Sequence, residues 1–230
     1  MSVPARPSAP PAEPAEDAAP TAVRPRRHAA EEVRRRQLID ATIDAIADVG
    51  FQATTLAEIA GRAGVSPGLV AFYFRDKNGL LEATLRRLAR QLSAGLVARQ
   101  RQATTPRQHI MAVVDATLGP TQFDRRTASV WLAFWAQVPV VPRFARIQRI
   151  YAARLLANLR VGFRTHPTLA RLDRDEAGRL AEATAAMIDG AWLRATLAPQ
   201  ADDGARARDL VGRFVEGRLA LLDLALLRDD

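Results

Sequence analysis

Residues 55–81 read TLAEIAGRAGVSPGLVAFYFRDKNGLL and contain two short helical patterns separated by a tight turn. Thr55 stands three residues before a glutamate, which is the spacing of a capping box at a helix start. Gly64 permits the positive φ angle that a tight turn requires. Ser66 followed by Pro67 is typical of the N-cap and first residue of the next helix. The stretch therefore predicts two short helices joined by a three-residue turn.

A longer amphipathic helix is predicted just before this pair. Between Glu31 and Val49 the leucine, isoleucine and valine residues recur at helical spacing, and Gly50 ends the pattern. A supporting helix followed by two short helices and a glycine turn is typical of a helix-turn-helix, whose second short helix lies in the major groove of DNA. We therefore expect a DNA-binding domain over residues 31–75.

The composition describes a folded, basic chain without cysteine. Its 230 residues are 48% hydrophobic and 25% charged, with a net charge of +8. This length and hydrophobic content predict one or two domains with a sizeable core, and the absence of cysteine excludes disulfides, thiolate metal sites and cysteine nucleophiles. No apolar run reaches the roughly 18 residues of a membrane span, and the N-terminus lacks an apolar targeting region. We expect a cytoplasmic protein with no membrane partner.

Residues 1–30 are rich in proline and alanine and end in a cluster of arginines. Such a segment cannot bury enough apolar surface to offset the entropy of ordering, so a disordered tail with a basic end is expected. The arginines of the tail, and Arg34 just beyond it, allow two interpretations. They form either a solvated run or an arm that reaches into a minor groove of DNA.

The remainder of the chain, residues 76–230, shows helical patterns and few strand signals, so the predicted fold is all-α. Asp76 can cap a long connecting helix, and Asp173 with Glu176 has the spacing of a further capping box. Proline and glycine pairs punctuate the segments between. Helices are expected near 76–101, 106–118, 122–138, 143–165, 174–198 and 203–227.

The last predicted helix carries more leucine than one buried face needs. These leucines either complete the core of the single chain or form a two-fold interface. The second interpretation is favoured because a helix-turn-helix protein reaches two half-sites, about 34–36 Å apart, as a symmetric dimer. A homodimer is therefore expected.

All three tryptophans lie in the C-terminal part of the chain. Trp131 and Trp135 share one helix face, and Trp192 follows Asp189 by three residues on another helix. Tryptophans most often fill cores, which is one interpretation. Converging indoles with one acid also suit a quaternary ammonium, which has no hydrogen-bond donor and is attracted by ring quadrupoles by about 2 kcal/mol when desolvated.

The quoted stretch resembles the DNA-binding module of the TetR family of bacterial repressors. The resemblance implies a three-helix DNA-binding domain, a connecting helix, and a helical C-terminal domain for ligand binding and dimerisation. It also implies phosphate contacts from Ser66, Tyr73 and Lys77, although Ser66 could be only a cap and Tyr73 only a core residue. DNA contacts are expected from Arg34, Thr54, Thr55, Arg62, Ser66, Pro67, Gly68, Leu69, Ala71, Phe72, Tyr73 and Lys77.

The predicted recognition helix departs from the usual pattern for reading bases. From Pro67 to Phe72 no side chain carries a hydrogen-bond donor or acceptor, so bidentate contacts to guanine or adenine are unavailable. Bases would have to be read by apolar contact with thymine methyls, by backbone groups, by neighbours such as Arg62, or through DNA shape. The operator sequence therefore does not follow from this helix.

Three further segments are similar to the C-terminal domain of choline-responsive TetR-family repressors: residues 131–135, 149–159 and 188–194. The resemblance implies a repressor of choline and glycine betaine genes that leaves its double-stranded DNA operator when choline binds. The alternative is a TetR-family repressor of another operon, for transport, efflux or catabolism, with a different small ligand. Ligand contacts are expected from Trp131, Phe134, Trp135, Tyr151, Asp189 and Trp192.

An enzyme is not predicted. The three histidines, His28, His109 and His166, are scattered without the spacing of a catalytic triad or a metal site. No glycine-rich phosphate loop follows a strand pattern. We expect no catalytic residues, no metal and no cofactor. A nonspecific DNA-compacting or membrane-surface protein would not explain a large C-terminal part with clustered aromatic residues.

Overall fold

The computed structural model describes residues 23–171, 174–198 and 203–229. Across these ranges the chain is helical without a strand, as the sequence predicts. The helices are α1 (Val23–Ala53), α2 (Leu56–Arg62), α3 (Pro67–Phe74), α4 (Lys77–Gln102), α5 (Pro106–Thr117), α6 (Pro120–Phe123), α7 (Arg125–Gln137), α8 (Pro142–Arg164), α9 (Pro167–Ala170), α10 (Arg174–Leu197) and α11 (Asp203–Asp229).

Helices α1, α2 and α3 form the predicted helix-turn-helix arrangement. Gly64 adopts a φ of 65° in the turn, and the Ser66 hydroxyl accepts a hydrogen bond from the Leu69 amide at 3.3 Å to cap α3. The Thr55 hydroxyl caps α2 in the same way. The second half of the expected capping box is absent, because the Glu58 carboxylate binds the Arg62 guanidinium instead. That part of the prediction is wrong.

Helix α1 begins earlier than predicted. It starts at Val23, so the expected tail over residues 1–30 is wrong for residues 23–30, while residues 1–22 lie outside the described ranges. Residues 23–30 include three arginines and two alanines, which are good helix formers, and Pro25 lies in the first turn, where proline is tolerated. Adding residues to a formed helix also avoids the cost of nucleation. Gly50 does interrupt the helix, with φ 76° and ψ 161°, but helical structure resumes as far as Ala53.

The connecting helix α4 begins where the sequence predicts. The Asp76 carboxylate accepts a hydrogen bond from the Gly79 amide at 2.6 Å, and the pKa of Asp76 is lowered mainly by this bond. Gly79 lets the first turn of α4 approach the carbonyl oxygen of Phe74, which a Cβ atom would strike. The end of α3 and the start of α4 are therefore held in one compact corner.

The C-terminal part is a bundle in which α5, α8 and α10 pack side by side and α11 covers α10. The helix predicted over 122–138 is split, because Pro120 begins the short helix α6 and Asp124 caps α7. The short helix α9 is not predicted by the sequence pattern. Asp173 lies outside the described residues, so its predicted capping box is not described.

Helix α11 carries apolar residues on two faces. Val211, Val215 and Leu219 are buried in the core. Leucines on the other face remain exposed in the single chain: Leu210, Leu221, Leu224 and Leu227. The core of a single chain therefore does not bury these four leucines of α11.

Gly162 is required where α8 crosses α5. A Cβ atom there would lie 2.6 Å from Cγ1 of Ile110, which is fully buried. We expect Gly162→Ala to lower the free energy of unfolding by about 1–3 kcal/mol, the usual cost of overpacking a core. The measurement is urea unfolding followed by circular dichroism.

Gly61→Ala is the matched control. Gly61 lies in α2, and a Cβ atom added there would have no other atom within 4 Å, so alanine should raise stability by up to about 1 kcal/mol through helix propensity. Equal stability of Gly162→Ala and the wild type would contradict the close packing of α5 and α8.

Candidate DNA-binding surface and ligand site

The outward face of the recognition helix α3 is apolar. Val70 and Phe74 are buried, whereas Phe72 is 78% exposed. The Phe72 ring meets the Tyr73 ring edge-on, with 5.5 Å between centroids, and this contact restricts its position. The remaining α3 residues predicted to meet DNA are exposed or half-buried: Pro67, Gly68, Leu69, Ala71 and Tyr73.

Three residues predicted to contact DNA have structural roles: Thr55 and Ser66 cap helices, and Thr54 stabilises the turn before α2. Thr54 is 1% exposed and its hydroxyl donates to the Gly50 carbonyl at 2.8 Å, so the structure does not bring its side chain to the surface. Thr55 and Ser66 are exposed N-caps. Because each of these two capping hydroxyls accepts a backbone N–H, its own hydrogen is still available to a phosphate oxygen.

Two arginines on this surface already have partners within the chain. The Arg62 guanidinium lies 2.6 Å from the Asp48 carboxylate and 3.0 Å from that of Glu58. The hydrogen bond to Asp48 raises the pKa of Arg62 and lowers that of Asp48. Arg34 donates to the Gln37 side chain at 2.9 Å. Contact with a base would require Arg62 to leave these carboxylates.

Lys77 fastens the end of α1 to the start of α4. Its Nζ atom donates to the Gln52 carbonyl at 2.9 Å and lies 4.4 Å from the centroid of the Phe51 ring. Burial lowers the pKa of Lys77. The ammonium group stands at the N-terminal end of α4, where backbone N–H groups also favour a phosphate. The expected phosphate contact stays a prediction, and the structure adds a fastening role.

The aromatic residues predicted to hold a ligand converge in the C-terminal part. Trp131, Trp135, Tyr151 and Trp192 line one cavity together with Asp189, and we call these five residues the aromatic cage. The cavity has a volume of about 20 Å³. Ring centroids are 5.3 Å apart for Trp131 with Tyr151 and 5.0 Å for Trp135 with Trp192. Five of the six predicted ligand residues thus meet around one cavity.

Phe134 is the predicted ligand residue that does not line the cage. It is fully buried behind it, with its ring 6.1 Å from Trp131 and 5.6 Å from Phe144. The sequence associates it with the tryptophans because it neighbours Trp135 in the chain. On a helix, adjacent residues point about 100° apart, so Phe134 faces the core instead.

Three lining residues are not among those predicted: Thr117 from α5, Gln122 from α6 and Ile188 from α10. The Gln122 carbonyl accepts a hydrogen bond from Trp192 Nε1 at 2.9 Å, which fixes the orientation of that indole. Ile188 precedes Trp192 by four residues on α10, so helical spacing could have indicated it, whereas no spacing relates Thr117 and Gln122 to the tryptophans. Their role depends on the packing of the bundle.

The cage holds one acid and one open donor. Burial raises the pKa of Asp189, and burial together with the nearby Asp189 carboxylate raises the pKa of Tyr151. Among the described residues that line this cavity, Asp189 is the one charged group. Trp135 Nε1 is buried and has no hydrogen-bond partner in the described part of the chain. The cavity is therefore lined by aromatic rings and one carboxyl group, with Thr117 and Gln122 as further polar residues.

Helix α7 connects the aromatic cage with the DNA-binding helices. In its first turn, Arg125 Nη2 donates to the Ala47 carbonyl of α1 at 2.8 Å, and Arg126 Nη2 lies 2.5 Å from the Asp44 carboxylate. The two cage tryptophans Trp131 and Trp135 follow on the same helix. The pair α1 and α7 forms the most extensive contact between helices of the chain's described part.

The helix-turn-helix of α1, α2 and α3 on a helical body with an aromatic cavity is typical of a helix-turn-helix transcriptional regulator. The family model described as "Bacterial regulatory proteins, tetR family" matches residues 38–84. The model described as "BetI-type transcriptional repressor, C-terminal" matches residues 106–220. The chain belongs to the TetR family of DNA-binding repressors and has a C-terminal domain of the BetI type.

Whole-chain relatives agree with this assignment. The HTH-type transcriptional regulator BetI of Cronobacter sakazakii is 42% identical over 193 residues, which are 83% of this chain and 93% of that protein. The regulator of the same name from Escherichia coli K12 is 41% identical over 191 residues, or 82% and 95% of the two chains. These identities extend over both the DNA-binding part and the body.

Solved structures share the fold. A transcriptional regulator from Pseudomonas aeruginosa PAO1 aligns with a TM-score of 0.72 at 25% identity, covering 83% of this chain and 92% of that one. A regulator from Saccharomonospora viridis, solved in complex with choline, aligns with a TM-score of 0.71 at 22% identity, covering 81% and 96%.

Neither a membrane span nor a metal cluster is found among the described residues. None of their helices combines the length and the apolar character needed to cross a bilayer. Nor do they bring together three or more histidine, aspartate or glutamate side chains that could hold a metal ion.

The exposure of Phe72 generates a prediction for DNA recognition. We expect Phe72→Ala to weaken operator binding by about tenfold, because an apolar contact with a base edge is lost, and to leave the salt dependence unchanged. Replacing single thymines of the operator by uracil should weaken binding of the wild type at one position or more and not weaken binding of the variant there. Fluorescence anisotropy with labelled duplexes measures both effects.

Val140→Ala is the control, since Val140 is 70% exposed in the turn between α7 and α8. It should bind every duplex as the wild type does. If uracil substitution weakens Phe72→Ala and the wild type equally at every thymine, Phe72 does not contact a thymine methyl.

Proposed function

We propose that this protein is a choline-responsive repressor that binds its operator as a homodimer in the cytoplasm and controls genes of choline and glycine betaine metabolism. The single observation that carries the proposal is the aromatic cage with a buried carboxyl group. The BetI-type relatives and the choline complex of the Saccharomonospora viridis regulator support the same ligand. We assign the chain no catalysis.

The chemistry of the cage suits a quaternary ammonium. Such a cation has no N–H group, so aromatic faces attract it where hydrogen-bond acceptors alone could not, by about 2 kcal/mol or more for a desolvated site. Asp189 supplies the opposite charge. Edge-on contact between Trp135 and Trp192 holds their rings at a large angle, so two different walls face the cavity.

Trp135 Nε1 supplies a reason for choline over a simple tetraalkylammonium. A buried donor without a partner costs about 1–3 kcal/mol, and a ligand hydroxyl that accepts its hydrogen would recover this cost. Choline carries one hydroxyl group on the side opposite its methyl groups. In the proposed complex the trimethylammonium end lies against the rings and Asp189, and the hydroxyl end lies at Trp135 Nε1.

Entry of the ligand requires the helices around the cage to separate. The cavity of about 20 Å³ has room for about one water molecule, which is less than a trimethylammonium group needs. The walls come from α7, α8 and α10 together with α5 and α6. A ligand shifts a conformational equilibrium by its difference in affinity for the two states, and a cage that must widen supplies such a difference.

Helix α7 carries the change to the DNA-binding part. Arg125 and Arg126 bind α1 in the first turn of α7, and Trp131 begins the cage less than two turns later. Because a helix is stiff over this length, displacement of the tryptophans moves α1 and the helix-turn-helix with it. In a dimer this alters the distance between two recognition helices, which must match half-sites about 34 Å apart.

The exposed leucines of α10 and α11 support the dimer. Leu197 on α10 is 65% exposed, and Leu221 and Leu224 on α11 are 57% and 58% exposed. Burying such residues against a second copy contributes about 25 cal/mol for each Å² of apolar surface. A two-fold interface through these two helices leaves the helix-turn-helix free for DNA.

Asp189→Asn tests the cage. We expect choline affinity to fall by about tenfold, and the affinity for the neutral carbon isostere of choline to change little, since only the cation uses the carboxylate. Because burial raises the pKa of Asp189, wild-type affinity for choline should increase as the pH rises through that pKa and then level off. The variant should show no such dependence. Titrations of tryptophan fluorescence at several pH values measure the affinities of the wild type and the variant for choline and for its isostere.

Glu182→Gln removes an exposed acid from the same helix and should leave every titration unchanged. Equal affinity of the wild type for choline and its neutral isostere would contradict recognition of the cation by the cage. If another quaternary ammonium releases the operator while choline does not, the repressor serves a different operon.

The double substitution Arg125→Ala with Arg126→Ala tests the transmission through α7. We expect choline to bind as tightly as in the wild type, while its ability to weaken operator binding falls by about fivefold or more, the lower range of allosteric coupling. Operator affinity with and without saturating choline is the measurement. Arg213→Ala, which removes an ion pair within α11, is the control and should keep the full response.

A further inference from the structure

Arg75, which connects the recognition helix α3 to the connecting helix α4, has a strained backbone. Its φ and ψ angles are 63° and −56°, and the Asp76 amide donates a hydrogen bond to the Phe74 carbonyl at 2.7 Å. This is the γ-turn with a positive central φ, a rare and strained geometry. Any side chain with a Cβ atom therefore destabilises the folded chain at this position.

Glycine occupies the other two positions of the described residues that have a positive φ. These are Gly50 and Gly64, with φ angles of 76° and 65°. Glycine adopts such angles without a steric cost, because it has no Cβ atom. Arg75 is the exception among the described residues. Backbone geometry alone would favour glycine at position 75, so the arginine side chain requires another explanation.

Contacts on both sides of Arg75 hold the strained turn in place. Phe74 is buried in the core, and Gly79 lets the first turn of α4 approach the Phe74 carbonyl. The Asp76 carboxylate caps α4 and also lies 3.2 Å from Nη2 of Arg143 in α8. Because α3 and α4 are both fixed, residue 75 makes the change of direction alone. Its fixed backbone also restricts the direction in which the side chain leaves the corner.

The Arg75 side chain makes no contact within the described chain that would compensate for this strain. It is exposed, and it forms no hydrogen bond or ion pair with another residue of the described ranges. The adjacent Asp76 carboxylate is bound by Arg143 instead. Other cationic groups of the DNA-binding surface do have partners: the Lys77 ammonium binds the Gln52 carbonyl. A partner of Arg75 therefore has to come from outside the described chain.

Arg75 lies where the phosphate backbone of bound DNA would pass. Helix α3 has 8 residues and is about 12 Å long, which is about the width of the major groove. A helix of this length in the groove brings its C-terminal end close to the phosphates that border the groove. Arg75 follows that end directly, two residues after Tyr73. A guanidinium presents a fork of N–H donors that matches two phosphate oxygens.

From the strained turn, the exposure and the lack of a partner in the described chain, we infer that Arg75 binds a DNA phosphate and that the turn positions its guanidinium for this contact. A side chain whose starting direction is fixed loses less conformational entropy when it is ordered on DNA. The inference rests on DNA binding by the TetR family, and it does not depend on which ligand the aromatic cage binds.

Three substitutions at position 75 separate the effect of the backbone from that of the side chain. Arg75→Gly removes the strain and the guanidinium, Arg75→Ala removes only the guanidinium, and Arg75→Lys keeps the strain and the positive charge. We expect Arg75→Gly to raise the Tm by about 2–4 °C because the strain is relieved, and the other two variants to keep the wild-type Tm. Thermal unfolding followed by circular dichroism measures these shifts.

DNA binding should change in the opposite sense to stability. We expect Arg75→Gly and Arg75→Ala to weaken binding to the operator and to an unrelated duplex by the same factor. Both should also reduce the slope of log affinity against log salt by about 0.9 for each copy of Arg75 that contacts a phosphate. Arg75→Lys should keep the wild-type slope, because its charge is retained. Fluorescence anisotropy at several salt concentrations gives the affinities and the slopes.

A set of operator duplexes, each with one phosphate replaced by an uncharged methylphosphonate, identifies the contact. At one phosphate or more, the replacement should weaken the wild type and should not weaken Arg75→Gly further. The matched control is Arg101→Ala, which removes an exposed arginine from the opposite end of α4. This control should bind every duplex as the wild type does, with the same salt slope.

Wild-type DNA affinity and salt slope in Arg75→Gly would overturn the inference. So would a changed sequence preference at an unchanged slope, because that result indicates contact with a base. A lower Tm of Arg75→Ala with unchanged DNA binding would also overturn it. In that case the guanidinium stabilises the C-terminal end of α3 through the helix dipole instead.

Discussion

Helix α7 supplies two residues of the aromatic cage and also packs against α1. These two contacts couple the body to the DNA-binding part. The first turn of α7 binds the Ala47 carbonyl and the Asp44 carboxylate, and its middle supplies Trp131 and Trp135 to the cage. A rigid helix cannot shift at one of these places without shifting at the other. Ligand chemistry in the body and the position of the recognition helix are therefore linked by one element.

The buried carboxyl group of Asp189 makes the cage respond to charge. Burial disfavours its ionised form, so a cation that binds beside it stabilises a carboxylate that the protein alone stabilises poorly. Water carries no net charge, so it stabilises the ionised carboxylate less than a cation does. The small size of the cavity adds a mechanical requirement, since the helices must separate. Under the proposed function, recognition and conformational change therefore have the same origin.

Elements with strong local signals could be predicted residue by residue. The cap at Ser66, the proline after it and the turn at Gly64 each impose a backbone geometry that depends only on neighbouring residues. The same holds for the Asp76 cap of α4. Where two local signals compete, spacing alone does not decide between them: the Glu58 carboxylate binds Arg62, four residues further along α2, rather than closing a capping box. Arg62 also binds Asp48 of α1.

The amino-acid order was enough to establish the helical character, the helix-turn-helix and the types of side chain in the cage, because helix caps and residue spacing act over a few residues. Three other features required the folded chain: Phe134 faces the core, Thr54 is buried, and Gln122 orients Trp192. The attachment of α7 to α1 also emerges only on folding. The contacts of Gln122 with Trp192 and of α7 with α1 join residues far apart in the chain. The burial of Phe134 and Thr54 follows from how the helices pack rather than from local propensity.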